Sequence, residues 1–220
     1  MGDPRGSNRC GGLVNTTISV INPSTGETLA NVPMMDAVEI DGVIERARAA
    51  QATWGAMPFK ERGRGLRMLA RRMRDDPKLI EILTAESGKP SYEAIVFELF
   101  YTLDLTRFYT SRAGRKALED DVLSPFLFRN KRARVIYHPR GVVTVIGPWN
   151  WPLLNNFADA IAPLLCGNAV VLKPSERTPL TSLRIAELWR EAGLPSDVFQ
   201  VVTGAAEAGR QLVDDRLERR

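Results

Sequence analysis

Three polar segments that could bind a ligand each follow an apolar stretch of the chain. They read Pro148-Trp149-Asn150, Lys173-Pro174-Ser175-Glu176 and Thr203-Gly204. In open α/β sheets ligands bind at the carboxyl ends of the strands, where segments of this kind meet. We therefore expect a tryptophan, an amide, an ammonium and a carboxylate to line one shared crevice.

The apolar stretches before these segments are typical of buried parallel strands that are separated by helices. The predicted strands are Gly141–Gly147, Ala169–Leu172 and Val198–Val202. The predicted helices are Leu153–Cys166, Leu180–Ala192 and one that starts at Ala205 and reaches Asp214. This order predicts parallel βαβ units, so the fold class is α/β. Residues 141–220 read as the first half of a Rossmann-like, doubly wound nucleotide-binding domain.

The part of the chain before this alternation is predicted to be mainly helical. Residues 1–17 have the composition of a mobile tail, and residues 18–119 read as an N-terminal helical part of the nucleotide-binding domain. Short strands at Ile18–Ile21 and Thr28–Val32 are expected to form a hairpin. After Asp36, apolar residues recur at the spacing of a helix, and Asp36 itself can act as the N-cap.

A long helix and a second hairpin are predicted to end the helical part. Apolar residues recur at helical spacing from Ser91 to about Lys116. The segments Pro125–Phe128 and Arg134–Tyr137 read as extended chain around a basic turn. We therefore expect residues 120–140 to form a hairpin that projects from the body of the protein.

The composition argues against several classes of function. The chain has 220 residues, a net charge of +4 and a sequence pI of about 9.3, so nucleic-acid binding must be considered. The densest basic runs contain no interleaved aromatic residues, so stacking on bases is not supported. No stretch of about 18 apolar residues is present, so we expect no membrane span. Two cysteines and no secretory signal favour a reducing, cytoplasmic location.

Simpler structural explanations exist for the polar residues at the predicted sheet edge. Asn150 precedes a predicted helix and could serve only as its cap. Glu176 could be a first-turn carboxylate of the next helix, where the helix dipole favours negative charge. The residues alone leave both alternatives open. His138 is the only histidine, so a histidine-based metal site is not expected. We expect His138 to have a structural role.

Four segments make the chain similar to aldehyde dehydrogenases. The most specific are GVVTVIGPWNWPLLN and, at family-like spacing, AVVLKPSERTPLTS; the others are INPSTGETLANVP and ESGKP. The resemblance covers residues 18 to about 214. It implies oxidation of a small-molecule aldehyde to a carboxylic acid through a cysteine thiohemiacetal and thioester, with NAD or NADP as cofactor. It also implies a homo-oligomer in which the hairpin at residues 120–140 belongs to the oligomerisation surface.

The resemblance gives roles to the residues of the first polar segment. Asn150 would direct its side-chain amide at the aldehyde oxygen. Attack by a thiolate leaves an oxyanion at that oxygen, which a fixed N–H donor stabilises. Ile146, Pro148 and Trp149 would line the cofactor channel through main chain and packing.

By the same resemblance, the other two segments would bind the cofactor. Lys173 and Glu176 would hold the adenosine ribose, because a carboxylate accepts hydrogen bonds from both ribose hydroxyls and repels a 2′-phosphate. NAD is therefore favoured, while Lys173 and Ser175 leave NADP possible. The resemblance also implies that Gly204 and Gly209 would contact the cofactor. Their loop is shorter than is usual in the family by a single residue, and it carries an alanine where a glycine is common.

The residues that would complete the reaction are expected downstream of the third predicted helix. The family needs a nucleophilic cysteine, a general-base glutamate and a Gly-Ser-Thr loop, and residues 1–220 contain none of them. Cys166 is expected to be a buried core thiol, and Cys10 lies in the tail. We expect this chain alone to be inactive, as a truncated aldehyde dehydrogenase. The alternatives are a non-catalytic dinucleotide-binding remnant and a fragment of a semialdehyde-specific or CoA-acylating relative.

The outer edge of the first predicted strand is expected to limit the stability of the isolated chain. A fourth strand would pair with Gly141–Gly147, but residues 214–220 are too polar to form a buried strand. An open apolar edge favours aggregation. We therefore predict poor stability, and a cooperative urea-unfolding transition in a monodisperse sample would contradict this prediction.

Overall fold

The N-terminal part of the chain folds into a hairpin followed by helices. The computed structural model of the protein describes residues 17–118, 121–123, 126–128, 133–135 and 137–218. The hairpin strands are β1 (Thr17–Ile21) and β2 (Thr28–Pro33). The helices are α1 (Ala37–Ala56), α2 (Phe59–Asp75), α3 (Pro77–Ser87), α4 (Ser91–Glu93), a π-helical segment (Ala94–Phe100), α5 (Tyr101–Tyr109) and α6 (Arg112–Leu118). In the described part of the chain, no helix combines the length and the apolar character needed to cross a membrane.

Asp36 starts α1, as the sequence predicts. Its carboxylate accepts the backbone N–H of Glu39 at 2.9 Å, and the Glu39 carboxylate accepts the backbone N–H of Asp36 at 2.9 Å. This reciprocal capping box satisfies two N–H groups that the first turn of a helix leaves without partners.

The long helix predicted from Ser91 to Lys116 is interrupted twice. The π-helical segment Ala94–Phe100 widens it, and a turn at Ser111 separates α5 from α6. The Ser111 hydroxyl accepts the backbone N–H of Gly114 at 3.3 Å, which favours a new helix start. An added Cβ at Gly114 would lie 2.5 Å from the Phe108 carbonyl oxygen, so the close turn requires glycine. The prediction of one continuous helix is wrong because apolar spacing does not report these local hydrogen bonds.

A second antiparallel pair follows the helices. Strands β3 (Asp121–Leu123) and β4 (Ala133–Val135) pair in the described residues of the segment 120–140. The prediction of extended chain at Pro125–Phe128 is wrong, since Phe126–Phe128 form a 3-10 turn. Residues 1–16 of the predicted tail and residues 120, 124, 125, 129–132 and 136 of this segment lie outside the described residues.

The chain then forms a parallel three-stranded sheet. Its strands are β5 (Val142–Ile146), β6 (Ala169–Lys173) and β7 (Phe199–Val201). Helices α7 (Leu154–Leu165) and α8 (Leu180–Glu191) connect them, and α9 (Ala206–Glu218) follows β7. The strand order is β5-β6-β7, with β6 hydrogen-bonded to both neighbours. This confirms the predicted α/β class and its parallel βαβαβ half.

Helices cover both faces of this sheet. All residues of the central strand β6 are buried, and its side chains alternate between the two faces. Val170 and Leu172 belong to the core formed with α2, α7 and α8. Ala169 and Val171 belong to a second core on the other face, which contains Ile40 of α1. The N-terminal helix α1 is therefore one of the layers that bury the sheet.

Side chains of α1 and α2 also bind the end of α7. Trp54 is buried against Trp189, with 5.9 Å between ring centroids, and its indole N–H donates to the Leu164 carbonyl at 2.8 Å. The buried guanidinium of Arg62 donates to the Leu165 carbonyl at 2.8 Å and to carbonyls at the end of α1. A cation at two helix C-termini is favourable because both ends carry partial negative charge. The N-terminal helices and the sheet therefore share the core that contains Trp54, Val170 and Leu172.

A buried glutamate from the π-helical segment caps α7. Glu98 is 0% exposed, and one of its carboxylate oxygens accepts the backbone N–H of Leu153 at 2.8 Å and that of Leu154 at 3.1 Å. Leu153 is the N-cap residue and has no side chain that could accept these bonds. The start of α7 therefore depends on a carboxylate that lies 55 residues earlier in the chain.

A second buried glutamate caps α8 in the same way. Glu86, in the last turn of α3, accepts the backbone N–H of Leu180 at 2.7 Å and that of Thr181 at 2.9 Å. Burial raises the pKa of Glu86 to about 7, although the hydrogen bonds from Thr181 and Leu180 favour its charged form. Burial therefore disfavours the charged form of this carboxylate more than its hydrogen bonds favour it.

We predict that Glu86 makes the stability of the chain fall as the pH rises. Its pKa of about 7 in the folded chain lies above the ordinary 4.5, so folding keeps a proton that the unfolded chain releases. The free energy of unfolding should fall by up to about 3 kcal/mol as the pH rises from 4.5 to about 7. Urea titrations across this range, on the wild type and Glu86→Gln of a longer protein that contains this chain, measure the contribution.

The Glu86→Gln variant should lack this contribution because an amide does not titrate. Glu93→Gln is the matched control, since Glu93 is an exposed glutamate of α4, and it should follow the wild type. Loss of stability in parallel for the wild type and Glu86→Gln would show that Glu86 is not the group responsible.

Candidate functional site

The first two polar segments begin side by side at the carboxyl edge of the sheet. Ile146 and Lys173 are partners in the parallel register, and the Gly147 N–H donates to the Lys173 carbonyl at 2.9 Å. The third segment adjoins the second, because the Val202 N–H donates to the Leu172 carbonyl at 2.8 Å. The structure therefore brings the predicted site residues to one edge of the sheet.

Asn150 is exposed in the turn between β5 and α7. The acceptor for the first N–H groups of α7 is the carboxylate of Glu98. Asn150 is therefore not the residue that caps this helix, and the simpler structural explanation for it does not hold.

Apolar residues precede Asn150 at the end of β5 and in the turn that follows it. Ile146 is 53% exposed and Trp149 is 55% exposed, while Pro148 is half-buried. The Trp149 carbonyl accepts the Thr178 hydroxyl at 3.5 Å, which joins the first polar segment to the second. Large apolar side chains left exposed beside polar groups are typical of a binding surface.

Gly147 allows α7 to approach the sheet edge closely. An added Cβ at this position would lie 1.7 Å from the Asn156 side-chain oxygen, so no other residue fits. Asn156 is fully buried in α7, and its amide nitrogen donates to the Ser182 hydroxyl in α8 at 3.1 Å. The sequence gives no prediction for Asn156, which links the two helices behind the site.

Lys173 and Glu176 lie in the second segment but differ in exposure. Lys173 is 4% exposed, and its ammonium donates to the Pro174 carbonyl at 3.0 Å. Burial lowers the pKa of Lys173, and the nearby Glu176 carboxylate opposes this shift. Glu176 is exposed and precedes α8, whose first N–H groups bond to Glu86, so Glu176 does not cap that helix. Ser175 is half-buried, and its hydroxyl accepts the backbone N–H of Arg177 at 3.2 Å.

The two predicted glycines lie at the start of α9. Gly204 is buried, and an added Cβ there would lie 2.6 Å from the Ala208 Cβ, which explains the absence of a side chain. An added Cβ at Gly209 would lie 3.5 Å from the Lys173 Cδ. The structure therefore places Gly209 directly beside Lys173.

A cavity of about 390 Å³ adjoins the first two segments. Its lining includes Trp149, Glu176 and Thr178 on one side, Ile18 of the hairpin on another, and Glu86. Two residues of the predicted cofactor site, Trp149 and Glu176, therefore line a cavity in which a ligand could bind.

A larger cavity of about 570 Å³ lies at the opposite, amino edge of the sheet. It is lined by Cys166, His138, Arg140 and Asn168, among others. The prediction that Cys166 is a buried core thiol is wrong, since this side chain is half-buried beside the cavity. Burial nevertheless raises the pKa of the Cys166 thiol, and the sheet separates it from Asn150, so it is not placed to act as a nucleophile there.

The sequence analysis gave no role to the two buried glutamates that cap the helices behind the site, Glu98 and Glu86, although Glu86 lies in the ESGKP segment. A signal existed for both glutamates. Glu98 interrupts the apolar run Val96-Phe97-Glu98-Leu99-Phe100, and Glu86 puts a carboxylate in the last turn of a helix, where the dipole disfavours it. A charge in an unfavourable local position indicates a partner elsewhere in the fold.

The groups at this edge fit a ribose-containing cofactor. A ribose hydroxyl both donates and accepts hydrogen bonds, so an ammonium and a carboxylate can each bind it. The Lys173 ammonium has three N–H donors, of which the Pro174 carbonyl takes one. The missing side chain of Gly209 leaves space beside Lys173.

Comparison with known proteins finds related sequences and related solved structures. The sequence model of the aldehyde dehydrogenase family matches residues 13–218. A 4,4'-diapolycopene aldehyde oxidase from Methylomonas sp is 35% identical over 91% of this chain and 38% of that protein. A NAD-dependent benzaldehyde dehydrogenase from Corynebacterium glutamicum has a TM-score of 0.79 at 33% identity, over 92% of this chain and 44% of that one. An E. coli NADP dependent enzyme has a TM-score of 0.79 at 37% identity, over 87% of this chain and 39% of that one.

The chain thus spans well under half the length of the proteins that it matches. Within that span the match includes the helical N-terminal part, the parallel sheet and all three polar segments. Since the family's sequence model covers nearly the whole chain and solved members share its fold, this protein belongs to the aldehyde dehydrogenase family.

Proposed function

We propose that this chain forms the cofactor-binding part of an enzyme that oxidises an aldehyde to a carboxylic acid, with NAD as the cofactor and NADP possible. The observation that supports this most is the common location of Asn150, Lys173 and Glu176 at one edge of the sheet. Neither Asn150 nor Glu176 is used to cap the helix that follows it, so both side chains remain available to a ligand.

In this proposal Asn150 stabilises the oxyanion of the reaction. A cysteine thiolate attacks the aldehyde carbon, and the carbonyl oxygen gains the negative charge that the Asn150 side-chain N–H would bind. NAD held by Lys173 and Glu176 would supply the acceptor for the hydride that leaves the thiohemiacetal carbon, and the thioester that results would be hydrolysed by water. The cysteine and the general-base glutamate would come from a segment outside residues 1–220, so the chain alone is inactive in this proposal.

The adenosine ribose would lie between Lys173 and Glu176. The Glu176 carboxylate would accept hydrogen bonds from the 2′- and 3′-hydroxyls, and its charge would repel a 2′-phosphate. The Lys173 ammonium would donate to the same ribose and would also tolerate a phosphate. Gly204 and Gly209 would let the backbone of the third segment approach the cofactor, and Ile146, Pro148, Trp149 and Ser175 would complete the wall around it.

The paired strands β3 and β4 would belong to an oligomer interface in the whole protein. The turn between them carries Phe126 and Leu127, which are 82% and 85% exposed. Neighbouring apolar side chains with this exposure support a surface that another subunit covers.

We predict that the chain binds NAD and that Lys173→Ala abolishes this binding. The variant removes the ammonium and leaves the Glu176 carboxylate without the neighbouring positive charge. Isothermal titration calorimetry with NAD and NADP measures both affinities. Lys78→Ala is the matched control, since Lys78 is an exposed lysine of α3.

A second variant tests the cofactor site without disturbing the core. Glu176 is exposed, so Glu176→Gln should leave the fold intact, weaken NAD binding and improve NADP binding relative to NAD. Binding of NAD without any turnover in the longer protein would favour the dinucleotide-binding remnant. Equal NAD affinity in the wild type and both variants would contradict the proposed site.

We predict that Asn150→Ala lowers kcat by about 10²- to 10³-fold in the enzyme that carries this chain and the downstream nucleophile. The affinity for NAD should stay unchanged, because Asn150 is assigned to the aldehyde oxygen and not to the ribose. Steady-state kinetics with a simple aldehyde provides the measurement. Asn31→Ala, at an exposed position of β2, should behave as the wild type, and an unaffected kcat in Asn150→Ala would exclude the oxyanion role.

A further inference from the structure

A buried ion pair lies directly behind the Asn150 turn. The Lys89 ammonium contacts one carboxylate oxygen of Glu98, and the two side chains are 10% and 0% exposed. Lys89 follows the end of α3, and Glu98 lies in the π-helical segment. Neither residue belongs to the three polar segments at the sheet edge, although Lys89 lies in the ESGKP segment.

The Glu98 carboxylate divides its two oxygens between two tasks. One oxygen binds the Lys89 ammonium. The other accepts the backbone N–H groups of Leu153 and Leu154, at 2.8 and 3.1 Å. The carboxylate therefore connects the ammonium to the first turn of α7.

The Lys89 ammonium in turn reaches the residue proposed to act on the substrate. It donates to the backbone carbonyl of Asn150 at 3.0 Å and lies 4.2 Å from the centre of the Trp151 ring. The Trp151 ring is itself held edge-on to Phe97 at 6.4 Å. Together the ion pair contacts the chain at residues 150, 151, 153 and 154, so it fixes the turn along its whole length.

The π-helical backbone around Glu98 directs its carboxylate towards Lys89 and the start of α7. Glu98 lies within the π-helical stretch Ala94–Phe100, and π-helical turns are rare and frequently occur at functional sites. A regular α-helix with the same residues would rotate Glu98 away from its present direction, since each π turn holds more residues than an α turn.

A gain in stability alone is a weak explanation for this pair. Buried ion pairs lose much of their mutual attraction to the cost of removing both charges from water, and apolar replacements are often equally stable. An ion pair does offer directional bonds, which apolar side chains lack. The directions here converge on the backbone of Asn150 and the start of α7.

We propose that Lys89 and Glu98 are positioning residues that hold the Asn150 side-chain amide in place for the oxyanion. This inference rests on the proposed role of Asn150. The backbone carbonyl of residue 150 is fixed by Lys89, and the chain beyond it is fixed by Glu98. The backbone that carries the Asn150 side chain is therefore fixed, which limits the displacement of its amide. A displacement of a reacting group by about 1 Å can cost about 100-fold in rate.

The test compares single and double variants in the enzyme that carries this chain and the downstream nucleophile. Lys89→Met and Glu98→Gln each leave one charge or one polar group without its partner, so both should lower the urea midpoint and kcat. The double variant Lys89→Met/Glu98→Gln removes both charges and should recover the urea midpoint. Its kcat should remain about 10- to 100-fold below the wild type, with KM and NAD affinity within about twofold.

The double variant separates positioning from simple stabilisation. Recovery of kcat together with the urea midpoint would overturn the inference, because it would show that the pair only stabilises the fold. The exposed pair Asp104–Arg107 of α5, with its atoms 2.9 Å apart, provides the control, and Asp104→Asn/Arg107→Met should leave kcat unchanged.

Hydrogen exchange in the same longer protein gives a second readout that needs no turnover. In Glu98→Gln the amides of Leu153 and Leu154 should exchange about tenfold faster or more, while those of Val170 and Val171 in β6 keep their wild-type rates. Unchanged exchange at Leu153 and Leu154 would overturn the inference. If the wild-type chain fails to bind NAD but the exchange pattern is as expected, the proposed cofactor site fails and the structural basis of the positioning inference stands.

Discussion

Carboxylates that come from outside the sheet start the two helices behind the candidate site, and the geometry of the site depends on them. The first N–H groups of a helix need acceptors, which the preceding turn usually supplies. Here those turns hold Asn150 and Glu176, which are exposed at the sheet edge. Glu98 and Glu86 supply the acceptors from the N-terminal helices. The turns can therefore present polar side chains to a ligand while the helices behind them stay capped.

This arrangement makes the N-terminal helices part of the site and not only a cover for the sheet. Trp54 and Arg62 bind the end of α7, while Glu98 binds its beginning. Helix α7 is thus held at both ends by residues that precede it by 55 to 110 positions. Gly147 then permits α7 to pack against the end of β5. The position of the Asn150 turn follows from contacts between residues as far as 110 positions apart.

The sequence predicts the local order of the fold well because apolar periodicity and turn residues are local signals. It predicts the parallel strands, the Asp36 cap and the meeting of Asn150, Lys173 and Glu176 at one edge. It does not predict the partners of Glu86 and Glu98, since a lone sequence gives no measure of contacts 94 and 55 residues apart. The π-helical segment and the half-buried state of Cys166 were missed for the same reason, because both depend on which neighbours the tertiary fold brings close.

The two capping carboxylates, Glu98 and Glu86, differ in how their negative charge is compensated. This difference affects how firmly the turns that hold Asn150 and Glu176 are fixed. Glu98 receives backbone N–H groups and the Lys89 ammonium, so its negative charge has a full positive partner. Glu86 receives backbone donors, and burial raises its pKa to about 7. A change of protonation near neutral pH alters the strength of the bonds at the start of α8, because charged acceptors bind N–H groups more strongly than neutral ones. The turn that holds Asn150 is thereby fixed by a pair of opposite charges, whereas the turn that holds Glu176 precedes a helix whose cap can lose its charge. An oxyanion donor tolerates little displacement, and a ribose site can tolerate more because several hydrogen bonds share the ligand.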